Sequence, residues 1–532
     1  MPTLDWIGKD KVINHHNDVP YKVLERKYSF DESGMHKEDI HSNNMIIHGD
    51  NLEALKSLLP QYEGKIKCIY IDPPYNTGNE GWIYNDNVND PKIKKWLGEV
   101  VGKEGEDLSR HDKWLCMMYP RLVLLQKLLA DDGAIFISID DNEHANLLLV
   151  CNEVFGSNNF IQDIIWNKRV SPARDAKFFS TDHEYILVYS KNKESLTTHF
   201  LPRTEKNNSY YKNPDNDPRG PWNSAAYTCN KSRDERPNLY YPITNPYTGE
   251  KIFPKESAVW AYSEETYQQH VRDNLLYWGV NGEAKQPRKK AFLSEVGDVV
   301  PRSVWSHSDV GSTQKATMEN NTIFNMRAFS YPKVSTLVER IIQIASDKDS
   351  IVLDSFAGSG TTAHAVLNMN KSDGGNRKFI LVEMGDYADT ITAERVKRVI
   401  NGYGEGKNAV EGTGGNFSYY ELGNPLFMQD GTINDEVDIT EVRKYVWYTE
   451  TNGIEYKEDI QEKYFLGSYN DTAYYFYYEK DRVTILDYEF LTSVHKKEQT
   501  YVMYADSCAL SDSDLQKWNI TFKKIPRDIE HI

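Results

Sequence analysis

Cysteine is scarce in this chain. Five residues (Cys68, Cys116, Cys151, Cys229, Cys508) are scattered over 532 positions with no C-x-x-C pair and no Cys/His cluster, which argues against a disulfide framework and a zinc site and predicts no metal. Long apolar runs are missing as well: none approaches the roughly 18 residues a membrane span needs, and residues 1–11 have no signal-peptide core. A cytoplasmic chain with no membrane contact is therefore expected. Nor is there a basic excess. The net charge is −17, the wrong sign for gripping a polyanion, but it is unevenly spread. Over 191–330, 19 Lys/Arg stand against 16 Asp/Glu, whereas over 424–532 only 12 stand against 21. About half of the acidity therefore belongs to the tail, and a local basic surface remains compatible with the total.

At 39% hydrophobic and 27% charged residues the composition is that of a folded globular protein, and the length predicts several cores. Residues 1–43 read as a leader packed on the main domain. From 44 the texture is strand, helix, strand: an apolar run at 45–47, a helical pattern at Leu52, Leu55, Leu58 and Leu59, and a second run over 66–71. A helix over 114–129 and a strand over 134–139 continue it, and strand candidates follow at 160–166 and 184–189. Between them, 76–112 is an Asn/Asp/Gly-rich stretch that predicts a long loop with one short helix at 92–101. Alternation of this kind predicts an α/β fold with a doubly wound, mostly parallel sheet.

The texture breaks at about 191 into an irregular region rich in Pro, Asn, Tyr and Trp, then returns with a helix at 333–346, a strand at 350–353, a helix from 361, a strand at 379–383 and a helix at 389–400. The expected domains are therefore 44–190 and 321–423 as two parts of one sheet, 191–320 as an insertion, and 424–532 as a C-terminal α+β domain.

Asp72-Pro73-Pro74-Tyr75 ends the strand at 67–71, where open parallel sheets place their ligands. A ring-conjugated amino nitrogen is a poor nucleophile, and two acceptors that each take one of its N–H groups leave its lone pair free to attack. Asp72 offers a carboxylate, and Pro73 a carbonyl in restricted geometry. Tyr75 offers a face for stacking a base, worth roughly 1–3 kcal/mol. The alternative is a Pro-Pro turn with a capping aspartate.

The second motif is Asp354-Ser355-Phe356-Ala357-Gly358-Ser359-Gly360, followed by a helix from Thr361. Glycines let a ligand approach the backbone closely, and N–H groups at a helix start favour a carboxylate, which suits an amino-acid-like cofactor. The spacing fits neither the dinucleotide nor the triphosphate loop. Glu383, at the next strand end, either accepts from two ribose hydroxyls or is a turn carboxylate. Asp50 either meets the cofactor's adenine or caps the helix after it.

Together these motifs resemble the amino-group DNA methyltransferases. Their order, with the proline motif before the glycine loop and an insertion between, is similar to the circularly permuted beta group, and above all to the modification subunit of type III restriction-modification systems. The resemblance implies S-adenosylmethionine as cofactor and N6 of adenine, flipped from double-stranded DNA, as target. It makes Asp72, Pro73, Pro74 and Tyr75 catalytic. Asp50, Asp354, Phe356, Ala357, Gly358, Ser359, Gly360, Thr361 and Glu383 would hold the cofactor, with Lys333 of Tyr331-Pro332-Lys333 near its methionine carboxylate. The insertion becomes a target-recognition domain, with Arg233, Arg236, Lys285, Arg288, Lys289 and Lys290, among Trp222, Tyr227 and Trp260, as DNA contacts. A homodimer and a helicase-nuclease restriction partner are also implied. Competing readings are a solitary regulatory methyltransferase, methylation of RNA or of a protein glutamine, and a catalytically silent DNA-binding subunit.

Overall fold

A computed structural model describes residues 3–77, 95, 98–100, 110–451, 454, 456, 457 and 462–530. Its centre is an eleven-stranded sheet. In chain order the strands are β1 (Lys22–Asp31), β2 (Gly34–His36), β3 (Met45–His48), β4 (Ile66–Ile71), β5 (Leu129–Ile139), β6 (Phe160–Asn167), β7 (His183–Ser190), β8 (Val304–Trp305), β9 (Ile351–Asp354), β10 (Lys378–Glu383) and β11 (Asn416–Pro425). Across the sheet they run β8-β6-β7-β5-β4-β9-β10-β3-β11-β1-β2. The middle six, from β5 to β11, are mutually parallel. Every residue of β4 is buried, as a strand covered on both faces requires.

The helices used below are α1 (Asn51–Tyr62), α2 (Arg110–Leu128), α3 (His144–Cys151), α4 (Thr313–Phe324), α5 (Ser335–Ala345), α6 (Thr361–Asp373), α7 (Glu394–Asn401) and α8 (Ile439–Thr451). One core joins Leu55 and Leu59 of α1, Trp114 and Leu122 of α2, Ile69 of β4 and Leu353 of β9. The switch point of the sheet lies between β4 and β9: Cys68 pairs with Val352 and Ile69 with Leu353, although some 280 residues of chain separate them.

Several expectations need correction. The leader at 1–43 contributes β1 and β2, with β1 antiparallel to β11 at one side of the sheet. Charged residues facing outward (Glu25, Lys27) hide its alternation, as befits a strand near an edge. The inserted compact unit runs 200–301, not 191–320. Residues beyond 301 return to the main unit, where β8 extends the sheet parallel to β6. The loop expected over 76–112, with its helix at 92–101, falls mainly outside the described residues.

Within the inserted unit, Trp222–Ala226, Arg288–Phe292 and Leu276–Tyr277 form a three-stranded antiparallel sheet, beside a core of Tyr227, Tyr241, Ile243, Trp260, Tyr267 and Trp278. Past 424, a second sheet orders β12 (Phe465–Tyr469), β13 (Thr472–Phe476), β14 (Thr500–Ala505) and β15 (Ile520–Lys524) side by side, parallel from β13 onward. Alternation explains its aromatic run: Tyr474 and Phe476 join a core with α8, while Ala473 and Tyr475 join another. No helix among the described residues is long and apolar enough to cross a membrane.

Candidate catalytic site at the β4–β9 switch point

Asp72 leaves β4 at the sheet's carboxyl edge, and the glycine turn leaves β9 beside it; a single cleft is lined by Tyr70, Asp72, Lys333, Asp354, Phe356 and the turn at 357–362. The proline tetrapeptide is clamped from behind. The Trp114 indole, fully buried in α2, donates to the Pro74 carbonyl at 2.6 Å. Asn76, held at φ 60, donates to the Arg110 carbonyl at 3.2 Å and to the buried Glu143, which also bonds His111 and Asn146. These contacts fix the peptide planes on which the acceptors are mounted.

Lys333, expected near a cofactor carboxylate, lines the cleft with the glycine turn and also reaches the proline motif. Its ammonium lies 2.9 Å from Asp72 Oδ1, 3.0 Å from Glu184 Oε2 and 2.6 Å from the Tyr75 hydroxyl, and stands 4.8 Å above the Tyr75 ring. Its own carbonyl accepts from Thr361 of the glycine turn at 3.2 Å, so one residue ties the two motifs together. Glu184 heads β7 and is held from its other oxygen by Lys168 at 2.9 Å. The Tyr75 hydroxyl also sits 2.8 Å from Asp72 Oδ1 and 3.2 Å from Glu184 Oε2.

Burial and charge set the protonation of this quartet. Burial pushes the Asp72 carboxyl up, against the pull of Lys333. Burial acts upward on Glu184 too, but two ammoniums, Lys333 and Lys168, outweigh it and bring the group down to about 2. Burial works against the Lys333 charge, and Asp72 and Glu184 overcome it, holding the ammonium well above the usual lysine range. The buried charges are therefore paired.

The glycine turn is braced by carboxylates. Asp354 accepts from Phe356 N at 3.0 Å and from the Thr362 hydroxyl at 2.5 Å, and burial pushes it up to about 7. Glu383 accepts from Gly358 N at 2.7 Å and from Gly385 N at 2.9 Å, and burial raises it. Ala357 N reaches the Val382 carbonyl at 3.1 Å. Behind the turn Arg395, fully buried, donates to Ser359 Oγ at 2.9 Å, Thr361 Oγ1 at 2.8 Å and Glu319 at 3.0 Å. It also meets His364, which burial and then the guanidinium charge drive down to about 3 and so keep neutral.

Gly360 has φ +81, and a Cβ there would come within 2.9 Å of the Thr392 carbonyl. Gly360→Ala is expected to destabilise the chain by roughly 1–3 kcal/mol, seen as a lower thermal midpoint with the turn's ligand contacts weakened.

Asp50 caps α1, accepting from Leu52 N at 2.9 Å and Glu53 N at 3.2 Å through Oδ1, while Oδ2 lies 3.6 Å from Arg121. In the inserted unit Lys290 is not a surface cation: it is 2% exposed, 2.5 Å from Asp215 and 2.9 Å from Asp217. Trp222, Tyr227 and Trp260 are buried as well. A period-2 strand puts Lys290 inward when its neighbours face out. Arg288 spends its guanidinium on Ser224, at 2.8 Å to the hydroxyl and 2.8 Å to the carbonyl, and Lys289 stands over Tyr262. Arg233, Arg236 and Lys285 remain exposed.

Sequence reasoning missed Trp114 and Arg395 as site residues, and it reached Lys168 and Glu184 only within the segments 166–169 and 184–191, which the family resemblance assigns to the sheet and the target-base pocket. A charged residue opening an otherwise apolar strand was the available signal for Glu184.

A largely buried acid at the carboxyl end of one parallel strand, sharing a cleft with a glycine turn on the next, is the place where doubly wound domains put their ligands. The chain belongs to the DNA methylase family, whose profile matches residues 66–394. It is 34% identical over 424 residues to the type III restriction-modification enzyme StyLTI Mod subunit of Salmonella typhimurium, covering 74% of this chain and 62% of that one. Against the EcoPI Mod subunit of Escherichia phage P1 it is 32% identical over 418 residues, covering 72% of this chain and 63% of that one. The chain thus spans about three-fifths of the length of these relatives. Type II methyltransferase M.KpnI of Klebsiella pneumoniae is 33% identical over 361 residues, covering 64% of this chain and 81% of that one.

Proposed function

We propose that this chain transfers a methyl group to N6 of an adenine flipped out of duplex DNA, as the modification subunit of a type III restriction-modification system. The observation that carries the reading is the pairing of β4 with β9, with Asp72 of the proline tetrapeptide and the glycine turn lining one cleft. The Mod-subunit relatives support the restriction-modification role. A restriction subunit with helicase-nuclease activity is the corresponding partner, and a homodimer the corresponding assembly. Arg233, Arg236 and Lys285 are among the exposed cations of the inserted unit available to phosphates.

S-adenosylmethionine fits the residues present. The turn lines the cleft, Glu383 stands at the neighbouring strand end, and Ser355 Oγ is buried with no hydrogen-bond partner among the described residues. Bound there, it would supply an electrophilic methyl group. Phe356, Ala357, Gly358, Ser359, Gly360 and Thr361 would cradle it, with Asp354 bracing the turn and Glu383 accepting from hydroxyls.

The chain's own part is positioning. Asp72 accepts one N–H of the adenine amino group and the Pro73 carbonyl the other, so that the nitrogen lone pair is freed toward the methyl. Tyr75 stacks the extruded base. For either contact to form, the Lys333 ammonium moves off Asp72 and off the ring, retained by Glu184. Asp72 is then the first acceptor met by the proton that leaves the methylated nitrogen.

Tritium transfer from labelled S-adenosylmethionine to duplex DNA, RNA or protein tests the reading. Label recovered as N6-methyladenine from duplex DNA is expected; label confined to RNA or protein overturns it.

A further inference from the structure

The β6–β7 connection, residues 168–182, springs from the catalytic edge. Trp166 pairs with Glu184 and Asn167 with His183, so the loop ends two residues before the carboxylate that holds Lys333. Its stem is braced: Lys168 N donates to the Asp182 carbonyl at 2.9 Å, Thr313 N to the Lys168 carbonyl at 3.0 Å, and Ala173 N to Ser180 Oγ at 2.6 Å. Beyond the brace stand Phe178 and Phe179, 82% and 90% exposed. Leaving two adjacent phenylalanines in water forgoes roughly 1.5–3 kcal/mol each. Around them the charge is basic: Lys168, Arg169, Arg174 and Lys177 against Asp175 and Asp182, in a chain whose total is −17.

We propose that this loop is a wedge for duplex DNA: Phe178 or Phe179 enters the stack where the target adenine has left, while Arg169, Arg174 and Lys177 meet the flanking phosphates. The inference rests on the DNA methylation reading and deepens it. An inserted aromatic side chain can stack on the bases flanking the gap, a contact worth roughly 1–3 kcal/mol per base, which offsets much of the few kcal/mol that flipping costs. Cations beside it suit a polyanion, and the braced stem anchors the loop at the carboxyl edge of the sheet. An acidic protein surface is the competing partner. The braces point instead to DNA, because they fix the loop's stem at the sheet edge at which the extruded base is received.

The test compares wild type with Phe178→Ala/Phe179→Ala on two duplexes, one with the target adenine paired and one with it opposite an abasic site, where the base is already loosened. On the paired duplex kcat/KM should fall about tenfold or more, and on the abasic duplex by no more than about threefold. With 2-aminopurine at the target position, wild type should brighten the probe and the double variant should not. Arg174→Ser/Lys177→Ser should lower the slope of log affinity against log salt by about two. Equal activity of the double variant on the paired duplex, or equal loss on both duplexes, overturns the wedge. So does a variant that keeps DNA behaviour but loses a co-purifying protein subunit. A wild type that brightens the probe through its phenylalanines without methylating DNA would retire the methylation reading and keep the wedge. Unchanged melting of the variants, whose altered side chains lie in solvent, separates either result from misfolding.

Discussion

Replacing Asp72 by alanine should lower methyl transfer to duplex DNA by about a thousandfold or more, with affinity for S-adenosylmethionine changed by no more than a few fold. The carboxylate would be one of two acceptors that reshape the amino nitrogen, the Pro73 carbonyl being the other. The fold should survive. Lys333 keeps Glu184 at 3.0 Å, so the substitution leaves the ammonium paired rather than stranded. Asp72→Asn, equal in shape, should be nearly as inactive, because an amide can present an N–H where an acceptor is needed. Single-turnover tritium transfer with calorimetry of cofactor binding decides it: a variant within about tenfold of wild type would remove Asp72 from the chemistry.

Lys333→Met and Glu184→Gln should move the acid limb of the pH–rate profile in opposite directions. Asp72 has to be ionised to accept an N–H, and its carboxyl is raised by burial, lowered by Lys333 and raised again by Glu184. Other charged or ionisable groups around it are Tyr75, hydrogen-bonded to it, Tyr70 on the same strand, and Asp354 at the end of β9. Removing the Lys333 cation takes away the largest pull against burial, so the limb moves up. Removing the Glu184 charge relieves a like-charge repulsion, so the limb moves down. With Lys333 in place Glu184, brought to about 2, is ionised throughout the working range, so in the wild type its own titration does not intrude. The profile of kcat/KM against pH separates this from a structural role, which would depress the rate at every pH without moving the limb. Limbs that stay in place, or move together, would show that neither group sets the charge on Asp72.

How far the site can be read ahead differs residue by residue. Asp72-Pro73-Pro74-Tyr75 and the 354–360 turn are contiguous, and each follows an apolar run, so strand-end position and local chemistry both stand in the primary order. Glu184, Lys168 and Lys333 are spread over some 165 residues and acquire meaning only when β6, β7 and the segment before α5 converge. The same applies to Arg395, an apparently ordinary helix cation that proves to be buried against Ser359 and Thr361. Lys290 shows the converse error. Within Arg288-Lys289-Lys290 it reads as one of a basic cluster, yet strand alternation turns it inward to Asp215 and Asp217.

Hydrophobic periodicity and strand-end motifs thus sufficed for the α/β class, the interruption of the domain and the two chemical segments, because these depend on short-range patterns of burial and backbone freedom. Which strands lie side by side, which charges are paired and which face outward followed from packing. The β4–β9 neighbourhood joins residues some 280 positions apart, and the cost of burying an unpaired charge appears only once the surrounding elements have excluded water.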